Sequence, residues 1–185
     1  MGRRTDTRER TLRTAATLFR TQGYHGTGLN QVLAEGGLPK GSLYFHFPGG
    51  KEQLAAEAVA LAAGELCDWV SATLDGAADP VAGLDAVIQG LAEHLVASDF
   101  SRGCPIGTVA PDGGDVVREA CVSAFASWQG VVRDFLAAHD IPDAENVATT
   151  LLAALEGAQL LARTRRDTAP LYAVGTTMRT LLKGR

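Results

Sequence analysis

Apolar residues recur along this chain at three- and four-residue spacing almost from end to end, a pattern that predicts helices and little else. From Thr7 to Thr21 they fall at Leu12, Ala15, Ala16 and Phe19, with arginines on the opposite face. Gly23 is placed to end this helix in a left-handed conformation, and residues 24–28 read as a glycine-rich turn. A short helix is predicted over Leu29–Glu35, with Val32 and Leu33 inward and Thr27 or Asn30 as the candidate N-cap. Gly36-Gly37-Leu38-Pro39 breaks the chain sharply. A second short helix is expected over Lys40–Phe47, with Leu43 and Phe47 on one side, until Pro48-Gly49-Gly50 stops it. A longer helix runs from Lys51 toward Leu74.

The remainder keeps the helical period. Asp79 and Pro80 form an N-cap and first-turn pair ahead of a helix over Val81–Ala97 carrying Leu84, Val87, Ile88, Leu91 and Leu95. A loop over 98–114 precedes three more helices, about Asp115–His139, Asp143–Arg166 and Pro170–Lys183. No strand-like alternation and no repeat are found. The expectation is an all-α chain of about nine helices. Two short helices joined by a tight turn and braced by a longer one make residues 1–50 a three-helix helix-turn-helix domain. Residues 51–185 make a larger helical domain.

Composition narrows the class. The 185 residues are 46% hydrophobic and 21% charged, an ordinary globular balance. Gly, Asp or Glu interrupts every apolar stretch well short of the roughly 20 residues that a membrane helix needs, so no membrane partner is expected. The basic N-terminus has no apolar segment behind it, so no signal peptide is expected. Asp6 occupies the place where a myristoylation motif wants Ser or Thr. Cys67, Cys104 and Cys121 are widely spaced and form no ligand cluster. Free thiols in the cytoplasm and no metal are expected. Residues 1–51 carry eight Lys or Arg against three acids, a local +5 that leaves −9 for the rest of a chain totalling −4. Such a head is a local anion-binding surface or a solubilising tail.

The densest chemistry lies in Lys40-Gly41-Ser42-Leu43-Tyr44-Phe45-His46-Phe47 and the following Lys51-Glu52. Gly41 lets a helix approach a groove closely. Ser42 can bond a base edge or a phosphate. Tyr44 offers a hydroxyl and a ring for a thymine methyl or a sugar. Lys40 and His46 can reach phosphates, and Lys51 sets a cation beside the free N–H groups of a helix start. Most such contacts position a protein on DNA and few read its sequence.

These residues closely resemble the N-terminal DNA-binding domain of TetR-type regulators over about residues 7–55. Thr27, the run Lys40 to Phe47 and the pair Lys51-Glu52 stand in the family's order. The resemblance implies DNA contacts for Thr27, Lys40, Gly41, Ser42, Tyr44, His46 and Lys51, and core positions for Leu43 and Phe47. Phe45 departs from a common Tyr, which removes one phosphate hydrogen bond. Pro48-Gly49-Gly50-Lys51 and Gly103-Cys104-Pro105-Ile106-Gly107 resemble the LmrA-like subgroup, whose members respond to drug-like or aromatic ligands.

The resemblance makes the larger domain one for ligand binding and dimerisation. It implies a homodimer through the last two helices, where Ala153, Ala154, Gly157 and Ala158 permit close approach. It also implies a pseudo-palindromic double-stranded operator and a small-molecule inducer. Trp69, Phe100, Phe125 and Trp128 are candidates to line a cavity or to pack as plain core. Gln159, Glu156 and His94 could orient a ligand there, with Cys104 a thiol nearby. The resulting expectation is a repressor released from its operator by a small apolar or aromatic ligand. The alternatives are an activator, a regulator with no ligand at all, or a small-molecule-binding protein or enzyme with a vestigial DNA head. No nucleophile–base pair or phosphate loop supports an enzyme, and no cofactor is expected.

Overall fold

The computed structural model describes residues 2–39 and 41–183. Among them are eight helices and no strand, close to the expected nine and within the expected class. They are α1 (Gly2–Gly26), α2 (Leu29–Glu35), α3 (Ser42–His46), α4 (Gly50–Asp75), α5 (Pro80–Ala97), α6 (Asp115–Ala138), α7 (Ala144–Arg165) and α8 (Ala169–Lys183). Among the described residues no helix is long and apolar enough to cross a membrane. The chain divides into two compact units, Met1–Glu65 with Cys104–Phe125, and Leu66–Gly103 with Ala126–Arg185.

In the first unit α1 packs against α2 and α3. The predicted stripe is buried at Leu12, Ala15 and Phe19, joined by Leu18. Val32 and Leu33 of α2, and Leu43 and Phe47 at α3, are buried as expected. The segment after Gly103 adds Ile106, Val109 and Val117, each fully buried.

Two local expectations are corrected here. The regular helix does break at Gly23 with the expected positive φ of 74°, but ψ is −178° rather than left-handed helical, and a further short helical stretch carries α1 to Gly26. The N-cap of α2 is Gly28, which has no side chain to cap with, rather than Thr27 or Asn30. The break explains the second difference. It leaves the Gly23 carbonyl without a helical partner, and the Thr27 hydroxyl donates to it at 2.8 Å. Thr27 is 1% exposed, so a buried polar group is satisfied by facing backwards rather than forwards.

In the second unit Asp79 caps α5 as predicted, its Oδ1 accepting from the Val81 and Ala82 N–H groups at 2.9 Å. Leu84, Ile88, Ala92 and Leu95 of α5 form a core with Leu155, Ala158 and Ala162 of α7 and Leu171 and Met178 of α8. α5 is followed by a turn in which Asp99 and Phe100 both have positive φ. Arg163 holds this turn by donating to the Phe100 and Ser101 carbonyls, and Arg166 pairs with Asp99.

The Gly23 geometry lies in a region that side chains essentially never adopt, and its Cβ position is 3.1 Å from the Thr108 carbonyl. Gly23→Ala is expected to lower unfolding free energy by about 1–3 kcal/mol. An unchanged midpoint and slope in urea denaturation would contradict this account of the break.

Candidate nucleic-acid interface and apolar cavity

α3 has only five residues, so its two sides are easily told apart. Leu43 and Phe47, one turn apart, are 1% and 0% exposed, whereas Tyr44 and Phe45 are 65% and 62% exposed. Gly41, the N-cap, is exposed and has open space where a Cβ would stand. His46 is half-buried, its ring edge-on to Phe45 with centroids 5.0 Å apart.

The turn after α3 is tied to α4. The Gly50 N–H donates to the Phe47 carbonyl at 2.9 Å, and the Gly49 N–H to Gln53 Oε1 at 2.8 Å. Gln53 in turn donates to Glu57, which also pairs with Arg8. The Arg8 guanidinium lies over the Phe47 ring, 5.1 Å from its centroid. α1, the turn after α3 and α4 are therefore linked through one chain of polar contacts.

Lys51 and Glu52 diverge to two neighbours. Lys51 Nζ sits 4.7 Å over the Tyr24 ring, which stacks on Phe19. Burial, and then the charge of Glu52, push the Tyr24 hydroxyl above its ordinary pKa. Glu52 Oε1 accepts from the Val116 N–H at 3.3 Å, in the first turn of α6. A helix start exposes unpaired N–H groups and favours negative charge. Gly114 cannot provide a capping side chain, so a carboxylate 64 positions away does so. A Cβ on Gly114 would collide with that carboxylate.

The basic head is less free than its charge count suggests. Besides Arg8 with Glu57, Arg13 pairs with Glu9 at 3.0 Å and with Glu65 at 2.8 Å. The hydrogen bonds that the Arg13 guanidinium donates to Glu9 first, then to Glu65, raise its pKa further.

Of the seven expected DNA contacts, Gly41 and Tyr44 are exposed, and His46 and Lys51 are half-buried close by in sequence. Ser42 opens α3. Lys40 lies outside the described residues. Thr27 is turned inward, as described above. Phe45, read from sequence only as a missing hydroxyl, is as exposed as Tyr44. Glu52 was legible only as a member of the Lys51-Glu52 pair and Gln53 not at all, because their partners are set by the fold.

The second unit encloses a cavity of about 80 Å³. Its wall is mostly aliphatic side chains from α4 to α8, with Trp128 and Phe135 from α6 and two polar residues, Glu156 and Gln159, from α7. Of the eight residues expected to line a cavity or orient a ligand, Trp128, Glu156 and Gln159 are brought together here. The other five do not line it. Trp69 lies over Gly90, where a Cβ would collide with its ring. Phe100 packs on the α5–α7–α8 core. Cys104 and Phe125 belong to the first unit. The Cys104 sulfur is buried and accepts from the Ile106 and Gly107 N–H groups at 3.4 and 3.3 Å. His94 is exposed. Val70 and Phe135 also line the cavity, though neither was among the expected lining residues. Burial raises the Cys121 pKa, and burial and then Asp68 raise that of Cys67, so neither thiol is activated.

Comparison with known proteins agrees with this geometry. Residues 12–58 match the bacterial regulatory proteins of the tetR family, and residues 80–177 match the LmrA/YxaF-like transcriptional regulator C-terminal domain. The chain is 37% identical over 183 residues to the HTH-type transcriptional regulator LmrA of Bacillus subtilis, covering 96% of this chain and 97% of that one. A TetR family regulator from Agrobacterium tumefaciens shares the fold with a TM-score of 0.85 at 22% identity, covering 97% of this chain and 98% of the other. The TetR family regulator CifR, solved as a cysteine mutant complexed with 26bp double-strand operator DNA, gives 0.80 at 24% identity, covering 91% and 93%.

The Glu52 cap generates a prediction. Glu52→Ala and Gly114→Ala are each expected to cost about 0.5–2 kcal/mol, the usual value of an N-cap. The double variant should cost little more than either alone, because both remove one bond. Additive losses in a denaturation cycle would show that the two residues act separately.

Proposed function

The chain belongs to the TetR family of DNA-binding transcriptional regulators, and on that footing we propose that it is a repressor released from its operator by a small ligand. It is a regulator rather than an enzyme, as its relatives are. The observation that carries the DNA reading is the outward pair Tyr44 and Phe45 on a helix whose other side is fully buried. Two large aromatic side chains held in water on a five-residue helix are disfavoured unless something covers them. A major groove, with its thymine methyls and sugar edges, does so. We assign the helix-turn-helix to residues 1–50 and ligand binding with dimerisation to residues 51–185. Gly41 gives close approach, Ser42 and Tyr44 meet base edges or sugars, and Lys40, His46 and Lys51 meet phosphates. Thr27 contributes only if its hydroxyl leaves the Gly23 carbonyl.

Dimerisation is supported by unpartnered apolar surface. On α7, Ala153, Gly157 and Leu160 share one exposed face, with Leu161 beside them, and on α8 Tyr172 is 48% exposed. Small residues allow two such helices to meet their twins in a two-fold interface. A dimer would read a pseudo-palindromic operator with half-sites about 34–36 Å apart. That the CifR structure holds operator DNA supports the same use of this fold.

The inducer site is the cavity of the second unit. At about 80 Å³ it is far below the roughly 300–1,000 Å³ of a drug-sized site, so an inducer must displace the walls it enters. α4 and α6 each supply residues to both units, and a strained wall is coupled covalently to the DNA head. A ligand that favours the displaced state by about 1–3 kcal/mol would lower operator affinity about 5–150-fold. The cytoplasm is where such a regulator meets its DNA.

Tyr44→Ala is expected to weaken binding to DNA flanking the gene by about tenfold or more at fixed salt, with thermal unfolding unchanged. A folded variant that shifts the same DNA at the same concentration would remove Tyr44 from the interface. Leu160→Arg should give monomers in sedimentation and lose operator binding. A variant that stays dimeric would move the interface elsewhere.

A further inference from the structure

Lys51 is a cation held in place without being neutralised. Arg8 and Arg13 of the same unit are taken up by carboxylates. Lys51 is not: among the described residues no salt bridge reaches it, and its Nζ lies 4.7 Å over the Tyr24 ring. Its neighbour Glu52 turns to the Val116 N–H instead. Resting on the reading of Lys51 as a phosphate contact, we propose that Tyr24 is a positioning residue for DNA binding, its ring fixing the Lys51 ammonium at the start of α4 with the charge left free for a backbone phosphate.

The ring is itself fixed. Tyr24 follows the break at Gly23, is half-buried, and stacks on Phe19 with centroids 6.1 Å and planes 12° apart. Phe19 is 2% exposed. His25 meets the Tyr24 ring edge-on, with centroids 5.4 Å apart. A lysine free in water gives up the freedom of its flexible stem when it binds a phosphate. Over an aromatic face, within the roughly 6 Å at which the ring quadrupole attracts a cation, much of that freedom is already lost. A carboxylate would hold the ammonium as well, but it would cancel the charge that the phosphate requires. A neutral ring cancels nothing and leaves the ammonium's N–H donors for the phosphate oxygens. A Cβ on Gly50 would stand 3.7 Å from the Tyr44 ring, so the start of α4 lies beside the outward side of α3, where the duplex is read.

The test measures binding of the full-length protein to a fluorescent duplex of the DNA flanking the gene, across a salt series. Lys51→Met should flatten the plot of log K against log salt by about 0.9 for each chain bound, the share of one phosphate. Tyr24→Leu should weaken binding about three- to tenfold, and Tyr24→Phe, which keeps the ring, should recover that loss. In the Lys51→Met background Tyr24→Leu should cost nothing further. A Tyr24→Leu protein that binds as tightly as the unaltered one overturns the positioning role and leaves Lys51 a phosphate contact. So does one that loses as much in the Lys51→Met background as outside it. An unchanged slope for Lys51→Met removes the phosphate reading, and no binding by the unaltered protein removes the DNA reading; the proposal falls with either. NMR of the free, unaltered protein decides the ring contact even where Tyr24→Leu does not fold. The Lys51 ε-methylene protons should resonate upfield, shielded by the Tyr24 ring, and a random-coil position would overturn the proposal.

Discussion

A helix of five residues cannot hold itself together in water, because nucleation fixes several backbone angles before the first hydrogen bond returns anything. α3 exists because Leu43 and Phe47 are fully buried beneath it. The same two anchors decide what faces outward, since Tyr44 and Phe45, one and two places after Leu43, must point away from the side it buries. Tyr44 and Phe45 are therefore displayed as a consequence of burying their neighbours. Packing and display are one constraint, and substitution at either anchor would disturb both.

The polar contacts of the first unit extend that constraint beyond α3. Glu57 takes a hydrogen bond from Gln53 and an ion pair from Arg8, and Gln53 also holds the Gly49 backbone. Two arginines of the basic head, Arg8 and Arg13, are thus engaged in ion pairs that position helices. Surface ion pairs of this kind contribute little stability singly. Their role here is to fix geometry, which is what a DNA interface built from few residues requires. Lys51 and Glu52 show the same economy: consecutive residues at one helix start reach Tyr24 on one side and the start of α6 on the other.

The second unit follows a different logic. Its core of α5, α7 and α8 side chains is closed and apolar, whereas the cavity leaves a little space and retains two polar groups.

Local sequence determined most of the helices, the Asp79 cap and the inward placement of Val32, Leu33, Leu43 and Phe47, because each depends on spacing within one or two turns. The Lys40–Phe47 run was legible for the same reason. Tertiary structure alone decided that Thr27 faces backwards to a carbonyl freed by Gly23. It alone set Glu52 at a helix start 64 residues away and withdrew Trp69, Phe100, Cys104 and Phe125 from a cavity that Trp128 and Gln159 do line. Helical periodicity reports which face of an element is apolar, but it carries no information on which other apolar face it meets. A cavity and a long-range cap are properties of that second meeting, and they appear only when the chain is folded.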